Sequence, residues 1–272
     1  MRFVHVSDMH IRPTGKPLYG LRPGERFRLA LADITREWPD AAFVAITGDL
    51  VQGGAEAGYA DLRDALSTLK CPFHLVVGNH DRRDALQTVF PELVTDDNGF
   101  VQYVFETEAG NFIALDTLNV GRHDGLLCDA RLDWLESRLD EIGDGPCYIL
   151  MHHPPFRITG RDRFRDLIVA NDVRHLFYGH LHRPMHGSWA GVPFSCVRGT
   201  NHQLARDMGR RSKKPLGSHE AAAYAIVRIE DDLVVVHEQN FLDDSIWFEL
   251  ANPEARNATD EAQLRAAAWK PA

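Results

Sequence analysis

Two rhythms of apolar residues alternate along this chain. Residues 2–7 (RFVHVS), 42–47 (AFVAIT) and 73–77 are short, nearly continuous apolar runs, the pattern of strands buried on both faces. Between them Phe27, Leu31, Ile34 and Trp38 recur at helical spacing within residues 25–38, and residues 59–69 repeat that pattern. A β-α-β-α start predicts helices packed over a largely parallel sheet.

The middle of the chain changes character. Residues 100–106 and 111–116 read as two strands joined in a hairpin at Ala109-Gly110. Asp129 is placed to cap a helix that carries Leu132, Leu135 and Leu139 on one face. Residues 147–151 form another buried run, and 176–178 a further one after a helical segment at 164–170. From Met185 onward strands dominate, at 185–190, 193–197, 222–230 and 233–239, with Gly191 and Asp231-Asp232 as turns. We expect α/β (α+β) class: a four-layer αββα sandwich of two mixed β-sheets with a small C-terminal strand-rich extension, not a single Rossmann sheet. The expected domain covers residues 1–250, strand-rich from about 184. A polar, Ala-rich tail at 251–272 follows, with a short helix after Asp260.

Five short polar clusters punctuate the apolar runs. They are Asp8-Met9-His10, Gly48-Asp49, Gly78-Asn79-His80-Asp81, His152-His153-Pro154-Pro155 and Gly179-His180-Leu181-His182, each directly behind a strand-like segment. Ligands gather beyond the carboxyl ends of strands in α/β architecture, so five loops can converge on one crevice. Asp8 and His10, two apart in an extended strand end, would point the same way, and His180 and His182 repeat that spacing. Gly48, Gly78 and Gly179 would let backbone approach closely. Oxygen and imidazole donors without thiolate suit Mn, Fe, Co or Zn; a carboxylate such as Asp49 can bridge two ions, and Asn79 offers a neutral oxygen. Two adjacent divalent ions are suited to phosphoryl transfer.

The order D-x-H, G-D, G-N-H-D, H-H-P-P, G-H-x-H resembles the calcineurin-like metallophosphoesterase superfamily, over positions 8 to 182. Lys16-Pro17-Leu18-Tyr19-Gly20 looks like the bacterial branch that holds class III cyclic nucleotide phosphodiesterases and glycerophosphodiesterases. The resemblance implies that Asp8, His10, Asp49 and His182 hold one metal ion. It implies that Asp49, Asn79, His152 and His180 hold a second, with Asp49 shared. His80 would not be a ligand. It would hydrogen-bond the phosphoryl group or protonate the leaving oxygen, with Asp81 orienting it. The implied reaction is hydrolysis of a small phosphodiester, foremost a 3′,5′-cyclic nucleotide, by in-line attack of a metal-bound hydroxide. A glycerophosphodiester or alkyl phosphodiester is the alternative. Phosphomonoester hydrolysis, or a non-catalytic metal-binding regulator, stays open behind these.

Other features narrow the setting. A formal net charge of −9 disfavours nucleic-acid polymers and membrane surfaces as partners. The four cysteines form no CxxC pair and sit in or beside apolar segments, as reduced thiols of a cytoplasmic protein do. No N-terminal signal pattern and no membrane-length apolar stretch is read. His5, His74, His175 and His237 read as packed residues, and His153, facing the other way from its ligand neighbour, as a supporting or structural one. His202, in Gly199-Thr200-Asn201-His202-Gln203, reads either as support for a metal ligand or the substrate phosphate, or as a plain loop residue. The basic run 206–214 (RDMGRRSKK) is a solvated loop, or a substrate-facing or dimer-contact one. Trp247 and Phe248 read equally as a core strand end or as a contact of the homo-oligomer that the resemblance implies.

Overall fold

The computed structural model describes residues 1–207 and 211–245 of the 272-residue chain. A compact unit spans Met1–Phe241, and a second begins at Leu242. Trp247, Phe248, the tail at 251–272 and residues 208–210 of the basic run lie outside the described residues.

The first half of the chain forms β1 (Arg2–Val6), α1 (Pro23–Glu37), β2 (Val44–Thr47), α2 (Glu56–Leu66), β3 (Phe73–Val76), α3 (Arg83–Val89), β4 (Tyr103–Thr107) and β5 (Gly110–Ala114). There follow α4 (Asp129–Ile142), β6 (Cys147–Leu150), α5 (Arg161–Ala170), β7 (Val173–Tyr178), β8 (Met185–Trp189) and β9 (Val192–Cys196). The last elements are β10 (Gln203–Leu204), β11 (Gly217–Ser218), β12 (Tyr224–Glu230) and β13 (Leu233–Gln239).

Among the described residues the strands make a five-stranded sheet, β13-β12-β1-β2-β3, and a six-stranded sheet, β4-β5-β6-β7-β9-β8. Both are mixed: β1–β2–β3 and β5–β6–β7–β9 run parallel, while β12, β13, β4 and β8 are antiparallel additions. The strand-rich C-terminal part is therefore divided. β8 and β9 complete one sheet and β12 and β13 the other, leaving only the short β10–β11 ribbon apart.

Alternation along each strand sorts side chains into separate cores. Val4, Val6, Val44 and Ile46 face α1 and α2 and pack with Phe27, Leu31, Ile34, Tyr59 and Leu62. Their neighbours Phe3, Phe43 and Ala45 face the other sheet and meet Phe112, Tyr148, Leu150 and Phe177. Phe3 stacks on Phe43 at 4.7 Å between ring centres and meets Phe112 and Phe177 edge-on. On the far side Ile113, Ile149, Leu176 and Tyr178 pack under Leu132, Leu135, Leu139 and Phe164 of α4 and α5. The result is the αββα sandwich, and burial on both faces explains the unbroken apolar runs of the central strands.

Two local readings shift. The helix expected over 59–69 is Glu56–Leu66. Cys128, not Asp129, occupies the N-cap of α4, without a side-chain cap; Asp129 lies in the first turn, where a carboxylate still favours the positive end of the helix dipole. Because β1, β2, β3, β6 and β7 all point their carboxyl ends to one edge of the sandwich, the loops that follow them meet there.

Candidate metal centre

Asp8, His10, Asp49 and His182 present ligand atoms within 4.8 Å of one another, and all four side chains are buried. His182 Nε2 lies 3.2 Å from Asp8 Oδ1, and His10 Nε2 lies 3.2 Å from His182 Nε2 and 3.5 Å from Asp49 Oδ2. A second group gathers on the other oxygen of Asp49. His152 Nε2 is 3.3 Å from Asp49 Oδ1 and 3.2 Å from Asn79 Oδ1, and His180 Nδ1 is 2.9 Å from that same Asn79 oxygen. The structure thus brings together all seven side chains singled out in the sequence, with Asp49 turned one oxygen toward each group.

Hydrogen bonds on the outer nitrogens decide what the inner ones can do. His152 Nδ1 donates to the Thr47 carbonyl (2.7 Å), His182 Nδ1 to the His202 carbonyl (2.7 Å) and His10 Nδ1 to Gln52 Oε1 (2.8 Å). A carbonyl oxygen only accepts, so each Nδ1 carries the hydrogen and each neutral ring aims a bare Nε2 inward. Lone pairs then face lone pairs and carboxylate oxygens at 3.2–3.5 Å. That arrangement is repulsive unless a cation or a proton lies between. Donor atoms about 2.0–2.2 Å from one metal ion are themselves separated by roughly 3–3.5 Å, so the spacing fits an ion in each group.

Without cations, protons are the alternative. Burial pulls His152 down, but the charge of Asp49 and its hydrogen bond prevail and hold the imidazole up, at about 9. His182 is raised in the same way by Asp8 against its burial. Both carboxyls end well below their usual range despite burial, because these imidazoles surround them. His10 and His180 stay low, at about 4, chiefly through burial.

The backbone at these positions is not the extended strand end expected. Asp8, His10, Asp49, His180 and His182 have φ of 56°, 49°, 51°, 67° and 47°. Left-handed conformations at non-glycine residues cost about 1 kcal/mol or more each and concentrate at functional sites. They turn side chains two residues apart into the same crevice by a different route from the strand geometry. Gly48 has φ 91°, and a Cβ there would overlap the His152 imidazole.

His80 lies outside the candidate clusters. Its backbone N–H donates to Asp49 Oδ1 (2.9 Å), its ring sits 4.8 Å from that of His10, and its side chain is partly exposed at the mouth. Asp81 does not orient it. Asp81 accepts from the backbone N–H groups of Gly78 (2.8 Å), Leu50 (3.1 Å) and Val51 (3.1 Å) and from the Tyr59 hydroxyl (3.0 Å). Those four donors fill the roughly four lone-pair sites of a carboxylate. Asp81 therefore staples the Asp49 loop to the Asn79 loop. His153 is not turned away either. With Nδ1 on Thr117 Oγ1 (2.8 Å), its ring lies 4.7 Å from that of His180, and its Nε2 has no hydrogen-bond partner. The His202 ring is 4.6 Å from His182 and 5.1 Å from His10. His5 bonds Thr47, His175 bonds Ser195, and His74 stacks on Phe105, all as packed residues, whereas His237 on β13 is exposed.

Sequence reasoning missed Gln52, Tyr59, Thr117 and His123. His123 Nδ1 accepts from Asn79 Nδ2 (3.3 Å), which leaves the amide oxygen of Asn79 facing inward. Nothing local marks these residues; only the converging loops reveal them. Two cavities flank the centre. One of about 550 Å³ is bordered by Tyr19 and His202, and one of about 390 Å³ by His123, His153, Arg157 and His180.

Residues 1–184 match the family model described as calcineurin-like phosphoesterase. The chain is similar to a protein of Rhodopseudomonas palustris named a probable cyclic nucleotide phosphodiesterase, with 42% identity covering 92% of this chain and 96% of the relative. It is also similar to a probable glycerophosphodiester phosphodiesterase of Arcobacter nitrofigilis, with 29% identity covering 78% of this chain and 83% of the relative. Among solved structures, a dimetal phosphatase from Danio rerio shares the fold, with a TM-score of 0.68 and 14% identity, covering 89% of this chain and 96% of that one.

Proposed function

Since the chain belongs to the calcineurin-like phosphoesterase family, we propose that it is a two-metal phosphodiesterase acting on small diesters, foremost 3′,5′-cyclic nucleotides. The observation that carries the reading is Asp49. Its Oδ2 faces the Asp8–His10–His182 group and its Oδ1 the Asn79–His152–His180 group. When bound, two such ions lower the pKa of water and neutralise charge on phosphoryl oxygens.

The chain's own residues do the rest. Thr47, Gln52 and His202 hold three imidazoles in the ligating tautomer. His123 fixes the Asn79 amide. His80, with its nitrogen at the mouth and its pKa lowered mainly by burial, hydrogen-bonds the phosphoryl group or hands a proton to the leaving oxygen. His202 stands beside the same position and supports His182 through its carbonyl. The metals fall in the Fe, Mn, Co or Zn class by donor type. The cyclic nucleotide preference is supported by the Rhodopseudomonas relative's name. The second cavity supports an acyclic diester as the alternative, since it offers room for a second arm.

Among the described residues no helix is long and apolar enough to cross a membrane. A cytoplasmic setting is part of our reading, supported by four free cysteines, two of them buried. Homo-oligomerisation is part of it too, on the sequence expectation alone.

The test is a panel of cyclic nucleotides, glycerophosphodiesters and phosphomonoesters, run with Mn, Fe, Co and Zn. Diester hydrolysis that needs two ions per chain is expected. No turnover of any diester with both ions bound would sink the reading.

A further inference from the structure

We propose that the cleft between the Tyr19 turn and residues 215–219 binds the planar base of a nucleotide, with Tyr19 as its stacking surface; this rests on the phosphodiesterase reading above. The cleft measures about 550 Å³ and is walled by Tyr19, His202, Leu204, Pro215, Leu216 and His219. That volume and mixed lining suit a small organic ligand. It opens on the metal centre through His202. The Tyr19 ring lies 4.7 Å from the His202 ring, edge-on, and His202 lies 4.6 Å from His182.

Tyr19 is an unfavourable residue for its backbone. Leu18 and Leu21 exchange hydrogen bonds of 2.8 and 3.0 Å, closing a two-residue turn whose central residues, Tyr19 and Gly20, have φ of 51° and 81°. Positive φ at both central positions favours Asn, Asp or Gly at the first. Core packing does not offset that strain, because Tyr19 is 65% exposed. Strain held at an exposed aromatic points to function.

The opposite wall is held in place. His219 Nε2 donates to the Tyr19 carbonyl (2.8 Å), tying the turn across the cleft mouth. Leu204, Pro215 and Leu216 supply apolar surface, with Ser218 and His219 at the polar edge. A nucleotide with its phosphate at the metal centre would lay its sugar past His202 and its base against Tyr19. Stacking of this kind tolerates any base, since every base has a π-face.

The test compares two ligands that differ only by the base. Manganese-loaded protein is titrated calorimetrically with adenosine 5′-monophosphate and with ribose 5-phosphate. The nucleotide is expected to bind about tenfold tighter, the size of one base stack. Tyr19→Gly keeps the positive φ and removes the ring, so the preference should fall to within about twofold; Tyr19→Phe should retain it. Leu216→Ala, on the other wall, should reduce it in the same direction. Inorganic phosphate binding, unchanged in all variants, reports an intact metal centre. Equal binding of the two ligands by the wild type, or a preference that survives both Tyr19→Gly and Leu216→Ala, overturns the proposal. A wild type that prefers the nucleotide yet never hydrolyses 3′,5′-cyclic AMP would remove the substrate reading and leave the base site standing.

Discussion

Replacing Asp81 by asparagine separates two roles for one residue. The carboxylate accepts four hydrogen bonds, from Gly78, Leu50, Val51 and Tyr59. Asparagine keeps one acceptor oxygen and sets an amide N–H₂ against the remaining donors. Its best orientation keeps Gly78 and Leu50 and leaves the Val51 N–H alone, with the Tyr59 hydroxyl the next to lose its partner. One or two orphaned buried donors, plus the weakening of two charge-assisted bonds, cost about 2–5 kcal/mol. Against a total stability of about 5–15 kcal/mol, that is a drop in Tm of roughly 5–15 °C for a body of this size. The measurement is thermal unfolding of the metal-loaded protein at pH 8. Burial and the neighbouring Asp49 push the Asp81 carboxyl up, to about 7, so pH 8 keeps it ionised. The kcat of the fraction that stays folded and loaded should change little. An unchanged Tm with a collapsed kcat would refute the staple and restore Asp81 as the partner of His80.

Three further outcomes are expected. His80→Ala should lower kcat for 3′,5′-cyclic AMP by about 10²–10⁴, as for a lost general acid, and less for p-nitrophenyl esters, whose leaving group needs no proton; loss of the metals would show that His80 has been misassigned. Gly48→Ala forces a Cβ at φ 91° against the His152 imidazole, so metal content should fall below two per chain by elemental analysis, and full loading would show that the loop yields. For the metal-free protein the sign follows from His152, held at about 9 in the folded state against an ordinary value of 6.5. A raised imidazole stabilises below about 6.5 and loses that contribution as pH rises through 9, so Tm should decline across that window. The metal-loaded protein, with His152 neutral, should lack the decline; a flat metal-free profile contradicts the Asp49–His152 pairing.

Most of the layer order was legible because central strands buried on both faces carry unbroken apolar runs, and amphipathic helices separate them. The C-terminal strands were legible as strands but not by destination. Alternation tells a strand which face is buried, not which sheet it joins. β12 pairing with β1, more than two hundred residues away, is such a long-range decision. The same division runs through the site. The positions of Asp8, Asp49, Asn79, His152 and His180 behind β1, β2, β3, β6 and β7 follow from local pattern, so their convergence was foreseeable. The left-handed backbone at Asp8, His10, Asp49, His180 and His182 was not, since it is imposed by packing among the loops.

The amino-acid sequence by itself determined which donors are available, in what order, and at which strand ends. Only the tertiary structure decided how each is used. Whether an imidazole offers a lone pair depends on a carbonyl from another loop, Thr47 for His152 and His202 for His182. Whether Asp81 serves catalysis or the fold depends on three backbone N–H groups and one hydroxyl. Whether Tyr19 is an ordinary surface ring or the wall of a cleft depends on residues 215–219 lying across from it. Chemistry of this kind is set by hydrogen-bond partners distant in sequence, and no local pattern encodes which of them will arrive.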